Sequence, residues 1–105
     1  MANEVLYEER DQVAIITLNR PERMNSISIA LREQMVAALE RFEADANMRV
    51  AIITGAGDKA FCAGMDLKEA AEKQVGVLTG RNYNEVKVTK PLIAAVNGFA
   101  LAGGW

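Results

Sequence analysis

Two glycine-bearing segments hold the residues with the most chemical potential in this sequence. They are Phe61-Cys62-Ala63-Gly64-Met65-Asp66-Leu67 and Asn97-Gly98-Phe99-Ala100-Leu101-Ala102-Gly103-Gly104. Each follows an apolar run of strand type, directly or at short distance. Turns of this kind can each aim a backbone N–H at one point, and two converging N–H groups are what a developing oxyanion needs. Gly103 and Gly104 fall where the first turn of a helix is expected. The N–H groups of that turn have no intrahelical partner, and the helix dipole adds partial positive charge there. Glycine lets a ligand approach such backbone without meeting a Cβ. The natural guest is an anion, or a carbonyl becoming one. Histidine is absent, which removes the commonest general base and metal ligand. Acid–base chemistry would fall to Asp, Glu, Lys, Tyr or Cys, and no metal site is expected.

Plainer roles compete for the same residues. A Gly-Gly pair after a strand also serves as a tight turn. Cys62, between Phe61 and Ala63, reads as a small buried hydrophobe, with no histidine to activate its thiol. Met24 and Met65 suit packing, and Lys68, Lys73, Lys87 and Lys90 suit a solvated surface. Asp66 can cap a helix as readily as it can act as a base. Gly55-Ala56-Gly57-Asp58-Lys59-Ala60 matches the relaxed dinucleotide pattern after a strand. That pattern requires a helix to start at once, yet Phe61-Cys62-Ala63-Gly64 intervenes. It also requires an acid at the end of the next strand, where Asn97 stands.

The elements that must position these loops are legible from periodicity. Val5 to Glu9 alternates, Asp11-Gln12 breaks it, and Val13 to Leu18 is strongly β-prone, so the pair reads as an antiparallel hairpin. Asn19 to Asn25 is a proline-punctuated loop. Ser28 is the expected N-cap of a four-turn amphipathic helix with Leu31, Met35, Ala38, Leu39 and Phe42 on one face. Val50 to Thr54 is apolar almost throughout, as in a parallel strand covered on both faces. Phe61 to Asp66 reads as a loop and Asp66 to Lys73 as helix-prone; Gly76 and Gly80 interrupt the next segment, and Arg81 to Lys90 reads as helical again. Leu92 to Val96 reads as another buried run, though in the 105 residues alone its sheet edge would lack the next neighbours and expose apolar surface. Ala100 to Trp105 reads as the start of a helix. After the hairpin the order is β-α-β-α-β, an α/β arrangement with a largely parallel sheet.

The 105 residues suffice for one small domain, and a net charge of −2 offers no basic patch for nucleic acid or an anionic membrane. The lone Cys62 fits a reducing compartment. No basic leader with an apolar core opens the sequence, and no apolar run reaches the ~20 residues of a membrane span. A cytoplasmic protein without nucleic-acid or membrane partners is expected.

Five segments in register resemble the crotonase superfamily, the enoyl-CoA hydratases and isomerases. They are Leu18 to Ser26, Ile53 to Gly55, Ala60 to Leu67, Lys90 to Gly98, and Ala100 to Gly104. The resemblance implies a crotonase-like ββα spiral core, of which residues 1–105 would be the N-terminal part. It implies an acyl-CoA thioester whose carbonyl oxygen sits between the N–H groups of Met65 and Gly103. Chemistry would run through an enolate-like anion, most simply hydration of a trans-2-enoyl-CoA in fatty-acid metabolism. Arg23, Met24 and Ser26 would contact coenzyme A. Ala63, Asp66, Leu67 and Lys68 would line its adenine and pantetheine side. No cofactor is implied, because coenzyme A is part of the substrate. The family's hydratases carry a glutamate directly after the position of Trp105 and a second about twenty residues on. The 105 residues alone are therefore expected to be inactive as a hydratase. A homotrimer, or a dimer of trimers, is implied for the longer protein. The alternative is a non-catalytic acyl-CoA- or dinucleotide-binding module using the same two loops.

Overall fold

The computed structural model describes residues 3–58, 60–62 and 87–100. Strands β1 (Val5–Arg10) and β2 (Val13–Leu18) form the expected antiparallel hairpin, paired from Val5↔Leu18 to Arg10↔Val13. Asp11 takes a positive φ of 55° in the two-residue turn, a conformation that Asp tolerates. Along β2, Ala14, Ile16 and Leu18 are buried while their neighbours are half-covered. This period-two pattern gives the sheet one core face.

Helix α1 (Ile29–Ala44) lies on that face. Ser28 caps it: its Oγ accepts from the Leu31 N–H at 3.0 Å and donates to Glu4 Oε2 at 2.5 Å. The cap thus joins the helix start to the residue that leads into β1. Leu31, Met35, Ala38, Leu39 and Phe42 are buried against Ala14, Ile16, Leu18, Met48, Ala51 and Phe61. The helical stripe and the strand alternation together make this core.

Strand β3 (Val50–Gly55) pairs parallel with β2, from Val13↔Val50 to Leu18↔Gly55. Strand β4 (Ala60–Cys62) follows a short turn. Strand β5 (Leu92–Ala95) pairs parallel with β3, from Ala51↔Leu92 to Thr54↔Ala95. The four-stranded sheet has the order β1-β2-β3-β5, and β4 pairs with β6 (Phe99–Ala100) in a separate two-stranded sheet.

The C-terminus of α1 holds the segment that enters β5. Lys90 Nζ donates to the carbonyls of Phe42 at 2.9 Å and Asp45 at 2.6 Å. Those carbonyls lie at the helix end, where the last C=O groups lack intrahelical partners. The ammonium also stands 5.1 Å from the Phe42 ring centroid. Beside it, the Glu43 carboxylate accepts from the Thr89 hydroxyl at 2.6 Å and from the Thr89 N–H at 3.0 Å. The hydroxyl first, and then the backbone N–H, hold the Glu43 carboxyl below its ordinary value.

Four expectations change. Leu92 to Val96 is not buried: Leu92, Ile93 and Val96 are 43%, 53% and 57% exposed. Among the described residues β3 is the only partner of β5 in that sheet, so its outer side is open, as expected for the 105 residues alone, although the apolar run by itself reads like a covered strand. Strand β3 is likewise half-covered on the face away from Ala51. The stretch from Phe61 does not begin as a loop, because Ala60 to Cys62 is a buried strand. Helix cannot start at Ala100, which is in β6; strand pairing with β4 overrides the glycine-rich local sequence. The helices expected at Asp66 to Lys73 and Arg81 to Lys90 fall wholly or mostly outside the described residues, as does the end of the chain after Ala100. No helix among the described residues is long and apolar enough to cross a membrane.

Candidate functional site

Because β2, β3 and β5 run parallel, their carboxyl ends lie at one edge of the sheet, where ligands bind in open α/β sheets. Three loops leave that edge: the one after Leu18, the one after Gly55 and the one after Ala95. Polar side chains tie all three together.

The loop after β2 makes a single 3-10 turn at Pro21–Arg23 and then two consecutive left-handed residues, Met24 and Asn25, each with φ 54°. Asparagine enters this conformation readily, whereas methionine is strained there. The reversal aims the Asn25 side chain inward, where it is 0% exposed. Its Oδ1 accepts from the Arg20 N–H at 2.8 Å. Its Nδ2 donates to the carbonyls of Ala56 at 3.0 Å and Ala60 at 2.9 Å. All three bonds go to backbone, so one side chain joins the first loop to the turn after β3 and to the start of β4. Arg20, also buried, donates from Nη1 to the Ser26 carbonyl at 2.8 Å, and its Nε lies 3.8 Å from Glu4 Oε1.

Asn97 performs the same task from the third loop. Its Nδ2 donates to the carbonyls of Gly55 at 2.8 Å and Gly57 at 3.0 Å, and its Oδ1 accepts from the Gly55 N–H at 3.2 Å. Gly55 must be glycine. A Cβ there would stand 2.5 Å from the Phe61 carbonyl oxygen, 2.8 Å from that of Ala60 and 2.7 Å from Asn25 Nδ2. Gly57 turns the chain with φ 84°.

These contacts dispose of the dinucleotide pattern at 55–60. The residue in the third glycine position, Ala60, opens a strand rather than a helix. Gly55 is spent on close approach to β4, and Asn97 stands at the next strand end as a backbone clamp. There is no helix N-terminus at that point to receive a pyrophosphate.

The described parts of the two glycine-bearing segments include residues of strands β4 and β6. They pair parallel, Ala60↔Phe99 and Cys62↔Ala100, with a register irregularity between the two pairs. Two residues of β4 thus span one step of β6. Bulges of this type re-aim a strand and recur beside active sites. Neighbouring strands lie about 4.8 Å apart, so Cys62 and Ala100 lie side by side in strands that run in one direction.

Of the residues assigned to coenzyme A, Arg23 is exposed, Met24 is half-buried in its strained turn, and Ser26 is 9% exposed. Ala63, Met65, Asp66, Leu67, Lys68 and Gly103 lie outside the described residues. Cys62 is buried, 2% exposed, in keeping with a packing role. No group of His, Cys, Asp or Glu among the described residues is arranged to hold a metal ion. Sequence reasoning passed over Asn25 and Asn97 as bridging groups. The available signal was an asparagine in a loop directly after each of two strands, the residue type that both tolerates left-handed backbone and reaches neighbouring main chain.

Residues 8–105 match the family described as enoyl-CoA hydratase/isomerase. The chain is 37% identical to a short-chain-enoyl-CoA hydratase of Clostridium acetobutylicum, covering 97% of this chain and 42% of that protein. It is 41% identical to an enoyl-CoA hydratase of Mycobacterium tuberculosis, covering 96% and 41%. The crystal structure of a probable enoyl-CoA hydratase/isomerase from Mycobacterium abscessus superposes with a TM-score of 0.87 at 49% identity, covering 99% of this chain and 41% of that one. The chain therefore spans about two-fifths of the length of the relatives it matches.

Proposed function

The chain belongs to the enoyl-CoA hydratase/isomerase family, and from that premise we propose that it binds an acyl-CoA thioester and stabilises its enolate. The fold is the crotonase-like one of its structural neighbours, α/β with a mostly parallel sheet. The reaction we assign to the whole protein is hydration of a trans-2-enoyl-CoA. Water oxygen bonds to C3 while the C2=C3 electron pair moves toward the thioester carbonyl. The oxygen of that carbonyl becomes an oxyanion and the water gives up one proton. As the electron pair returns from the oxyanion a proton bonds to C2, so that H and OH add across the double bond. The carrying observation is the parallel pairing of β4 with β6. Met65 stands three residues past Cys62 and Gly103 three residues past Ala100, and Cys62 and Ala100 are paired. Equal offsets from one register point favour two N–H groups meeting at one oxygen. Each such donor is worth about 3 kcal/mol of transition-state stabilisation.

In this reading Arg23, Met24, Ser26, Ala63, Asp66, Leu67 and Lys68 contact the coenzyme A portion. No separate cofactor takes part, and residues 1–105 form the N-terminal part of one crotonase-like domain. The working protein is a cytoplasmic homotrimer or dimer of trimers. The test is calorimetric titration with crotonyl-CoA, free CoA and NAD. Crotonyl-CoA and CoA should bind and NAD should not; NAD binding without CoA binding would overturn the proposal. In a hydration assay on the whole protein, Gly103→Pro deletes one donor while suiting a first helical turn. The rate should fall about 10²–10³-fold, followed by loss of crotonyl-CoA absorbance.

A further inference from the structure

We propose that Asn25 and Asn97 are positioning residues that jointly set where β4 lies beside β6. The inference rests on the acyl-CoA reading, because that reading places the thioester at the ends of these two strands. Asn25 comes from the loop after β2 and Asn97 from the loop after β5. Both hold the chain that links β3 to β4, and they hold different atoms of it. Asn97 takes Gly55 and Gly57, and Asn25 takes Ala56 and Ala60. The carbonyls of residues 55, 56, 57 and 60 are thus fixed by two side chains from opposite flanks. A third bond from each, Arg20 N–H to Asn25 and Gly55 N–H to Asn97, orients the amide so that its NH₂ faces the carbonyls.

The turn is closely packed: a Cβ on Gly55 would stand 2.5 Å from the Phe61 carbonyl oxygen and 2.8 Å from that of Ala60. Asn25 holds the carbonyl of Ala60 itself, the first residue of β4 and the partner of Phe99 in β6, and Asn97 holds the chain three residues before it. A pure core residue would stabilise the fold without controlling that alignment. These two amides control it because their partners are the backbone atoms between the two sheets. A displacement of about 1 Å at a reacting centre costs on the order of 100-fold in rate, so the clamp should act on the chemical step more than on coenzyme A affinity.

The readout is the infrared stretch of crotonyl-CoA carrying a ¹³C label at the thioester carbonyl, bound to the protein. Convergent N–H donors move that stretch to lower wavenumber. Asn25→Asp keeps the acceptor for Arg20 and replaces the donors by an oxygen facing two carbonyls. Asn97→Ala, on an exposed stretch, tests the other arm with little risk to folding. Both variants should lose most of the carbonyl shift while free CoA binds nearly as in the unaltered protein. In Asn25→Asp the shift should partly return at acid pH, as the introduced carboxyl is protonated and regains a donor. A full shift in folded Asn97→Ala, or in folded Asn25→Asp at neutral pH, would overturn the inference and leave the acyl-CoA reading standing. Absence of any shift in the unaltered protein would overturn both.

Discussion

Asn25 shows how a polar side chain is accommodated at 0% exposure: each of its three hydrogen-bond vectors ends on main chain. An unpaired buried group costs about 1–3 kcal/mol. Asn25→Ala would strand two carbonyls and one N–H and would also force alanine into a left-handed conformation. We expect a loss of about 3 kcal/mol or more in stability, read from urea denaturation. Glu43 carries a different prediction. Its pKa is lowered by the Thr89 hydroxyl and N–H, so the folded chain takes up this proton less readily than the unfolded one. The contribution is present above the ordinary glutamate value, about pH 4.3, and is lost as pH falls through the lowered folded value. Glu43→Gln keeps one acceptor and removes the titration. Its stability should fall less steeply with acid below that pH, measured by thermal unfolding across a pH series.

At the scale of elements, caps and close approaches decide the geometry. Ser28 both caps α1 and reaches Glu4. Ser28→Ala should cost about 1 kcal/mol, the usual value of an N-cap, seen as a lowered urea midpoint with unchanged slope. Gly55 lies where β3 passes beneath the start of β4. Gly55→Ala must push backbone against backbone, so the expected loss is at the upper end of the ~1–3 kcal/mol range for overpacking. The same variant should alter amide chemical shifts in β4 while leaving the β1–β2 hairpin unchanged. The junction of α1 with the start of β5 explains why a lysine stands before Pro91: its ammonium closes the helix carbonyls of Phe42 and Asp45.

At the largest scale, the described sheet runs from a hairpin that α1 covers to β5, whose outer side meets no further strand among the described residues. Leu92, Ile93 and Val96 on that edge are exposed, and unpaired apolar edges template association. Ile93→Lys in this chain should change stability by no more than about 0.5 kcal/mol, as for surface substitutions. It should also shift sedimentation profiles toward the monomer. If the substitution instead unfolds the chain, Ile93 belongs to a core and not to an edge.

The local sequence by itself determined the hairpin, the capped amphipathic helix and the parallel strand after it. Each announces itself through a period of 2 or 3.6 within a short window. It also determined family membership, because five motifs in register survive without any knowledge of contacts. Tertiary structure alone decided that Phe61 begins in a strand, that Ala100 pairs instead of opening a helix, and that β5 takes β3 as its neighbour. Those outcomes depend on partners 38 or more residues away, such as Ala60 with Phe99 and Ala51 with Leu92, which no local window contains. The role of Asn25 and Asn97 was hidden for the same reason. Hydrogen-bonding capacity is written in the residue type, but the carbonyls that use it are brought within reach only when three strand ends meet at one edge of the sheet.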